Sequence, residues 1–208
     1  MSILVLTSDT LSSPAAVGQI EYSSPIFAAT PVGTQRGIVP TQQYYRLDSA
    51  VVGGNVTTAQ SIFGVGVTLS SATVYEFEMI VAVSKSAGTT SHTFGVGFGG
   101  TASVNNIGYR LNVQNPSGTS FTVVAIADYA MFVQTASNTV ITGAQTSANL
   151  FISFVIKGTV SVNAGGTFIP QYTLSAAPGG AYSTAIGSFI RIAPVSASGS
   201  NTSVGAWA

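Results

Sequence analysis

Cysteine is missing altogether from this chain of 208 residues, and charge and histidine nearly so: six Lys and Arg, six Asp and Glu, and one His. Without cysteine there is no disulfide framework and no thiolate metal site, so packing and backbone pairing alone must hold the fold. A single histidine, His92, excludes a multi-histidine metal centre. Asp9, Asp48 and Asp128 stand apart and form no Asp-x-Asp calcium loop. Arg36, Arg46, Lys85, Arg110, Lys157 and Arg191 are scattered singly, with a formal net charge of zero. No basic face able to neutralise phosphates is encoded, so neither nucleic acid nor an anionic membrane is an expected partner. No uninterrupted apolar run approaches the roughly 20 residues of a spanning helix, and no fixed-period repeat suggests a solenoid or propeller. No metal or cofactor is expected.

The shortage of charge is itself informative. Soluble domains average about a quarter Asp, Glu, Lys and Arg, which keep surfaces soluble and blunt exposed strand edges. Here charged residues make up 6% of the chain, so Ser, Thr, Asn, Gln, Gly and Ala must cover it. Such a surface is expected either to be buried in a permanent assembly or to face a partner that charge would disturb. A chain of this length can bury roughly 70% of its unfolded surface, enough for a sizeable core.

What is present is strand pattern. Runs rich in Val, Ile, Phe, Tyr and Thr recur between Gly, Ser, Asn and Pro, and helical periodicity is nearly absent. In Thr73 to Val83, Tyr75, Phe77, Met79, Val81 and Val83 fall on one face, and Val74, Glu76, Glu78, Ile80 and Ala82 on the other. Leu150 to Lys157 is largely apolar on both faces, which predicts a central strand covered on both sides. Further strands are expected at His92 to Phe98, Ile107 to Val113, Phe121 to Ala127 continuing into Ala130 to Gln134, Gly158 to Val162, Gly166 to Leu174 broken at Pro170, and Ser188 to Ala193. The pattern predicts an all-β, antiparallel β-sandwich, jelly-roll-like, of about nine or ten short strands. One short helix is allowed near Val39 to Leu47.

The first 40 residues differ. Pro14, Pro25, Pro31 and Pro40 interrupt two short β-like pieces, Gly18 to Tyr22 and Ile26 to Thr30. Residues 1–40 are expected to form an extended arm with a small hairpin, and 41–208 the sandwich. The apolar opening Met1 to Leu6 lacks a basic leader region and reads as an arm or strand, with a cleaved signal as the alternative.

Candidate chemistry is thin. Gly95-Val96-Gly97-Phe98-Gly99-Gly100 spells a dinucleotide-binding loop, but no helix pattern follows it, so a packed Gly-rich strand and turn is expected. His92 has no nucleophile elbow and reads as a hydrogen-bonded structural or surface residue. Glu76 and Glu78 share a strand face about 6 to 7 Å apart by strand rise, a spacing open to a carboxylate-pair glycosidase or to cross-strand pairing with Arg or Lys. The tyrosines, among them Tyr22, Tyr44, Tyr45, Tyr109, Tyr129, Tyr172 and Tyr182, can stack on sugars, anchor interfaces or fill the core. Trp207 is the only tryptophan, and the tail that carries it, Ser203 to Ala208, is expected to be docked. Asn55-Val56-Thr57 and Asn201-Thr202-Ser203 match the glycosylation sequon, which carries meaning only in a eukaryotic secretory setting.

Several segments, taken in order, resemble a known family. Gly18-Gln19-Ile20-Glu21-Tyr22, Phe27-Ala28-Ala29-Thr30-Pro31 and Arg36-Gly37-Ile38-Val39-Pro40 resemble the hairpin and linker that precede the terminal β-domain of tailed-bacteriophage fibre and structural proteins. Phe154-Val155-Ile156-Lys157-Gly158, Gly165 to Gln171, Leu174 to Pro178 and Gly205-Ala206-Trp207 are similar to the end of that domain. The resemblance implies a homotrimer with the hairpin wound among three chains, no enzymatic activity, and a place on the exterior of a virion. There it would be a capsid-decoration or fibre-like appendage held to the major capsid protein or to a tail or adaptor protein. A receptor-binding module for host surface glycan is the alternative. The residues expected at attachment or oligomer contacts are Ile3, Leu4, Leu6, Ile20, Tyr22, Phe27, Arg36 and Trp207; no ligand-binding residue is assigned.

Overall fold

The computed structural model describes residues 6–33, 35–114, 130–201, 203–205 and 207. The strands, in chain order, are β1 (Ile20–Ser23), β2 (Ile26–Val32), β3 (Gln35–Val39), β4 (Gln43–Arg46), β5 (Val51–Val52), β6 (Gln60–Ser61), β7 (Val67–Leu69) and β8 (Thr73–Lys85). They continue as β9 (Phe94–Gly99), β10 (Ser103–Gln114), β11 (Ala130–Val133), β12 (Thr139–Val140), β13 (Leu150–Ala164), β14 (Gly166–Leu174), β15 (Ser183–Thr184) and β16 (Phe189–Ala197). All pairings are antiparallel, and no helix occurs among the described residues. The all-β sandwich expected from the sequence is what forms.

One sheet runs β11-β10-β13-β8. The far edge of β8 is then shared by β16 and β15, which carry β4 and β5 outermost. The second sheet runs β12-β9-β14, with β6 and β7 side by side on the outer edge of β14. Alternation fixes which face goes inward. Along β8, Thr73, Tyr75, Phe77, Met79, Val81, Val83 and Lys85 are all buried, and their neighbours are not. β13 lies centrally, between β8 and β10, but only one of its faces is fully covered. Leu150, Ile152, Phe154 and Ile156 are buried, whereas Phe151, Ser153 and Val155, expected to be covered too, are half-buried because no second sheet among the described residues packs over them.

Aromatic rings fill the space between the sheets in two groups. Phe98 stacks on Phe168 at 4.8 Å, with Phe77 and Tyr109 edge-on or tilted beside them. Toward the other end Phe94 stacks on Tyr172 at 5.1 Å, and Tyr182 meets Phe94 edge-on. The glycines of the Gly95 to Gly100 run alternate with buried Phe94, Val96 and Phe98. A Cβ at Gly95 or Gly97 would strike Asn138 or the Ala136 carbonyl, and one at Gly99 would strike Gln171. The run is a packed strand with its turn at Gly100, as read from the sequence.

Four expectations are corrected. Val39 to Leu47 holds no helix: Gln43–Arg46 is β4, held by register pairing with Phe189 to Ile192 of β16. Gly158 does not separate two strands; β13 passes through it without a register break against β8. A Cβ there would lie 2.3 Å from the Gly108 carbonyl oxygen and 2.6 Å from the Tyr109 Cα, so the glycine is what lets β10 approach. Pro170 does not break β14 either. Its cross-strand partner Phe98 sends its N–H away, to Ala136 O, so Pro170 has no N–H bond to lose on that side. On its other side β14 changes partner from β7 to β6, and there only the Pro170 carbonyl is used, accepting from Ile62 N–H at 2.9 Å. Within residues 41–208 the described strands, β4 to β16, also exceed the nine or ten expected there, because β5, β6, β12 and β15 are two-residue pairings too short to carry a pattern. The expected strand Phe121 to Ala127 and the turn Asn115 to Gly118 lie outside the described residues.

Gly158→Ala should destabilise the protein by about 1–3 kcal/mol, since the added methyl must push β10 and β13 apart. Gly37→Ala, where nothing lies within 4 Å of the new carbon, should stay within about 0.5 kcal/mol of wild type. Urea unfolding of the two variants checks the contrast.

Candidate functional site

The N-terminal segment builds a small sheet of its own, β1-β2-β3. Register places Ile20 opposite Ala29, Tyr22 opposite Phe27, and Phe27 opposite Val39, so these side chains share one face. That face is open: Ile20 is 68% exposed, Val39 41%, and Tyr22 and Phe27 form a half-buried stack with ring centres 4.6 Å apart. The opposite face is closed, with Ile26, Ala28 and Thr30 buried. Arg36 lies on that closed side: it donates to Glu21 at 2.9 Å and to the Ser12 carbonyl at 2.6 Å. The Ser12 N–H, bonded to Glu21 at 2.7 Å, and then the guanidinium hold the Glu21 carboxyl below the usual carboxylate range.

Of the residues expected at contacts, the structure thus brings Ile20, Tyr22 and Phe27 together on the open face, and turns Arg36 to the other. Leu6 is exposed in the arm; Ile3 and Leu4 lie outside the described residues. The tail that carries Trp207 is docked through its backbone rather than its indole. The tail backbone does lie against β3, since a Cβ at Gly205 would come within 3.1 Å of the Arg36 carbonyl. The indole itself is 79% exposed and only donates locally to Val204 O.

A cleft of about 350 Å³ runs between Ile38, Pro40 and Gln42 on one side and the outer face of β8, β13 and β16 on the other. Here Glu78 stands directly opposite Lys157 on one neighbouring strand and Arg191 on the other. It accepts from Lys157 Nζ at 2.7 Å and from Arg191. The Lys157 bond, reinforced by Arg191, keeps the Glu78 carboxyl below its ordinary value. A glycosidase acid must stay protonated near neutrality, which requires the opposite shift, so Glu78 is wired into a cross-strand ion cluster, while Glu76 stands opposite Thr159 and Ala193.

A second groove, about 310 Å³, opens where the sheets part between the edge strands β4 and β7. Phe63, Ile190 and Ile192 form its floor, with Gln43, Tyr45, Val65, Thr68 and Pro170 around it. Tyr44 and Tyr45 are 58% and 41% exposed at its rim, and no charged residue lines it.

The end of the sandwich beyond β8 holds two buried groups that sequence reading left unconnected. Lys85 points inward and donates to three backbone carbonyls, Gly88 at 2.6 Å, Ser147 at 2.6 Å and Ala87 at 3.1 Å, so each ammonium proton has an acceptor. Burial lowers its pKa. His92 is also buried, with Nδ1 2.8 Å from Thr90 O and Nε2 2.8 Å from the Tyr182 hydroxyl. Because a carbonyl only accepts, Nδ1 carries the proton and Nε2 accepts from Tyr182. No sequence signal could have joined Lys85 to Ser147, 62 positions away, since its partners are carbonyls that every residue has. Among the described residues no three His, Cys, Asp or Glu side chains come together as metal ligands.

These features define an all-β antiparallel sandwich with an appended three-stranded sheet. No protein-family model matches the chain, and no curated protein matches it. Among solved structures it is similar to the infectious bursal disease virus VP2 subviral particle, at 12% identity and a TM-score of 0.20, over 90% of this chain and 50% of that one. The structure of the Gx strain of the same virus gives 12% identity and 0.17, over 88% and 49%. The chain spans about half the length of these proteins, and superposition at that level does not establish a shared fold.

Glu78→Gln should remove an acid-sensitive increment of stability. A lowered carboxyl contributes fully above its unfolded value of 4.5 and loses the contribution as pH falls through the lower folded value. The gap between wild type and variant, no more than about 1 kcal/mol because both cations reach solvent, should be present at pH 7 and close below pH 4.5. Denaturant midpoints across that range measure it.

Proposed function

We propose that this protein is a non-enzymatic structural component of a virion, a homotrimer held to a capsid or tail protein through residues 1–40, with the sandwich facing outward. One observation carries the reading: the open face of β1-β2-β3, with Ile20, Tyr22, Phe27 and Val39, is apolar and charge-free, while Glu21 and Arg36 neutralise each other on the closed side. Such a face can meet copies of itself around an axis without like-charge repulsion, and burying it answers the question raised by a chain with so little charge. The ordered likeness of Gly18 to Pro40 and of the C-terminal segments to tailed-phage fibre and decoration proteins supports the same reading.

Light scattering on the purified chain should give about three times its 21.1 kDa mass. Ile20→Asp with Phe27→Asp should give a monomer with an unchanged β-sheet spectrum. A wild-type monomer at micromolar concentration would refute the trimer.

A second reading, a module that recognises host surface glycan, is favoured by the groove between β4 and β7. Its two exposed tyrosines, the polar Gln43 and Thr68 and an uncharged lining suit a neutral sugar stacked on an aromatic ring. If so, glycan-array binding should be present and should fall at least about tenfold in Tyr44→Ala and Tyr45→Ala, the loss of roughly one stacking contact. An empty array would leave the structural role alone.

A further inference from the structure

Lys85 and His92 sit where several connecting segments meet at one end of the sandwich. The segment after β8 supplies the carbonyls of Ala87 and Gly88, and the segment before β13 supplies that of Ser147. His92 and Gln145 exchange both backbone bonds, at 3.1 and 2.7 Å, which ties those two segments together. The segment after β14 joins through Thr90 N–H to Pro178 O at 3.2 Å, through the Tyr182 hydroxyl on His92, and through close backbone contact of Gly88 with Pro178 to Gly180. Residues 53–55 complete the end, with Gly53 N–H bonded to Tyr182 O and Asn55 accepting from Gly179 N–H.

The balance of charge here is unusual. Facing the imidazole are the Thr90 carbonyl on Nδ1, the Tyr182 hydroxyl on Nε2, the Lys85 ammonium nearby and, beyond Tyr182, the Tyr172 hydroxyl. Residues 53–57, 85–99, 143–149 and 175–182 contain no Asp or Glu. Lys85 is already the one buried positive charge, tolerated because carbonyls take all three of its protons. A second positive charge at His92 would have no carboxylate to meet it. A proton on Nε2 would also turn that atom from acceptor into donor, leaving the Tyr182 O–H without the acceptor it now has.

We propose that this end of the sandwich is an acid-released latch, in which protonation of His92 at Nε2 reverses its bond with Tyr182, strands the Tyr182 O–H without an acceptor beside an unpaired imidazolium, and frees segments 86–92, 143–149 and 175–182 from one another. The step takes one proton from solvent and breaks no covalent bond. Under the latch lie Phe94, Tyr172 and Tyr182, so its release uncovers aromatic surface that is sealed at neutral pH. Burial, with Lys85 adding to it against the Thr90 bond, lowers the His92 pKa from 6.5. The stability it contributes is therefore complete above pH 6.5 and declines as pH falls below that value toward the lower folded pKa. The inference is independent of the virion reading and holds for a monomer as for a trimer.

His92 is the only histidine, so every imidazole resonance belongs to it. Titrating the full-length wild-type protein by NMR from pH 8 to pH 4 should give a midpoint clearly below 6.5. Amide exchange, corrected for its intrinsic pH dependence, should accelerate in 86–92, 143–149 and 175–182, by about tenfold for each unit of depression, while the middle of β8 and β13 stays protected. His92→Gln, which cannot titrate, should lose the acid response. A wild-type midpoint at or above 6.5, acceleration spread evenly over the sheets, or an acid response that survives in His92→Gln would overturn the proposal. The wild-type titration decides the matter even if a variant fails to fold.

Discussion

The pairing of β8 with β13, unbroken from Lys85–Leu150 to Thr73–Val162, is the interaction on which the rest of the structure depends. Its inward side chains are the floor of the core: Phe77, Met79, Val81, Ile152, Phe154 and Ile156 are all buried, and the rings of β9 and β14 pack over them. Its register sets the charge cluster on the outer face, because a shift of one residue would send Glu78 and Lys157 to opposite sides of their strands' facing partners and bury charge in the core. Its far end delivers Lys85 into the carbonyl cage. A long antiparallel ladder with one closed face tolerates no slippage, and here a single register places the core, the ion cluster and the buried lysine together.

Scarcity of charge is handled in two ways. On the surface, most of the carboxylates that are described have partners: Glu21 with Arg36, Asp48 with Arg46, Glu78 with Lys157 and Arg191. In the interior, backbone dipoles replace counter-ions, with three carbonyls around Lys85 and a neutral tautomer at His92. Carbonyl cages suit a cation whose charge does not change near neutrality. A histidine in the same surroundings is a different matter, since its charge state follows the medium. The same economy also leaves surfaces without electrostatic protection: the open face of β1-β2-β3 and the β4–β7 groove carry no charge of either sign.

Much was legible along the chain. Alternation in Thr73 to Val83 and in Leu150 to Lys157 specified strands and their inward faces, because side-chain direction in a strand follows from the two-residue repeat alone. The hairpin Ile20–Ser23 with Ile26–Val32, and the Gly-rich strand through Gly95 to Gly99, were equally readable. That Glu78 could pair with Arg or Lys across a sheet was open to inference; that the partners are Lys157 and Arg191 was not.

What only the tertiary structure decided has a common physical cause: it depends on what lies beside a residue across the sheet, not along the chain. Gly158 and Pro170 read locally as interruptions, yet one makes room for the Gly108 carbonyl and the other sits where its missing N–H is not needed. Tyr182 and His92, ninety positions apart, and Lys85 with Ser147, become partners only when three segments converge at one end of the sandwich. The sequence determined an all-β chain of low charge with its strands and core faces. The register between distant strands decided which of its few ionisable groups are paired, caged or left to respond to pH.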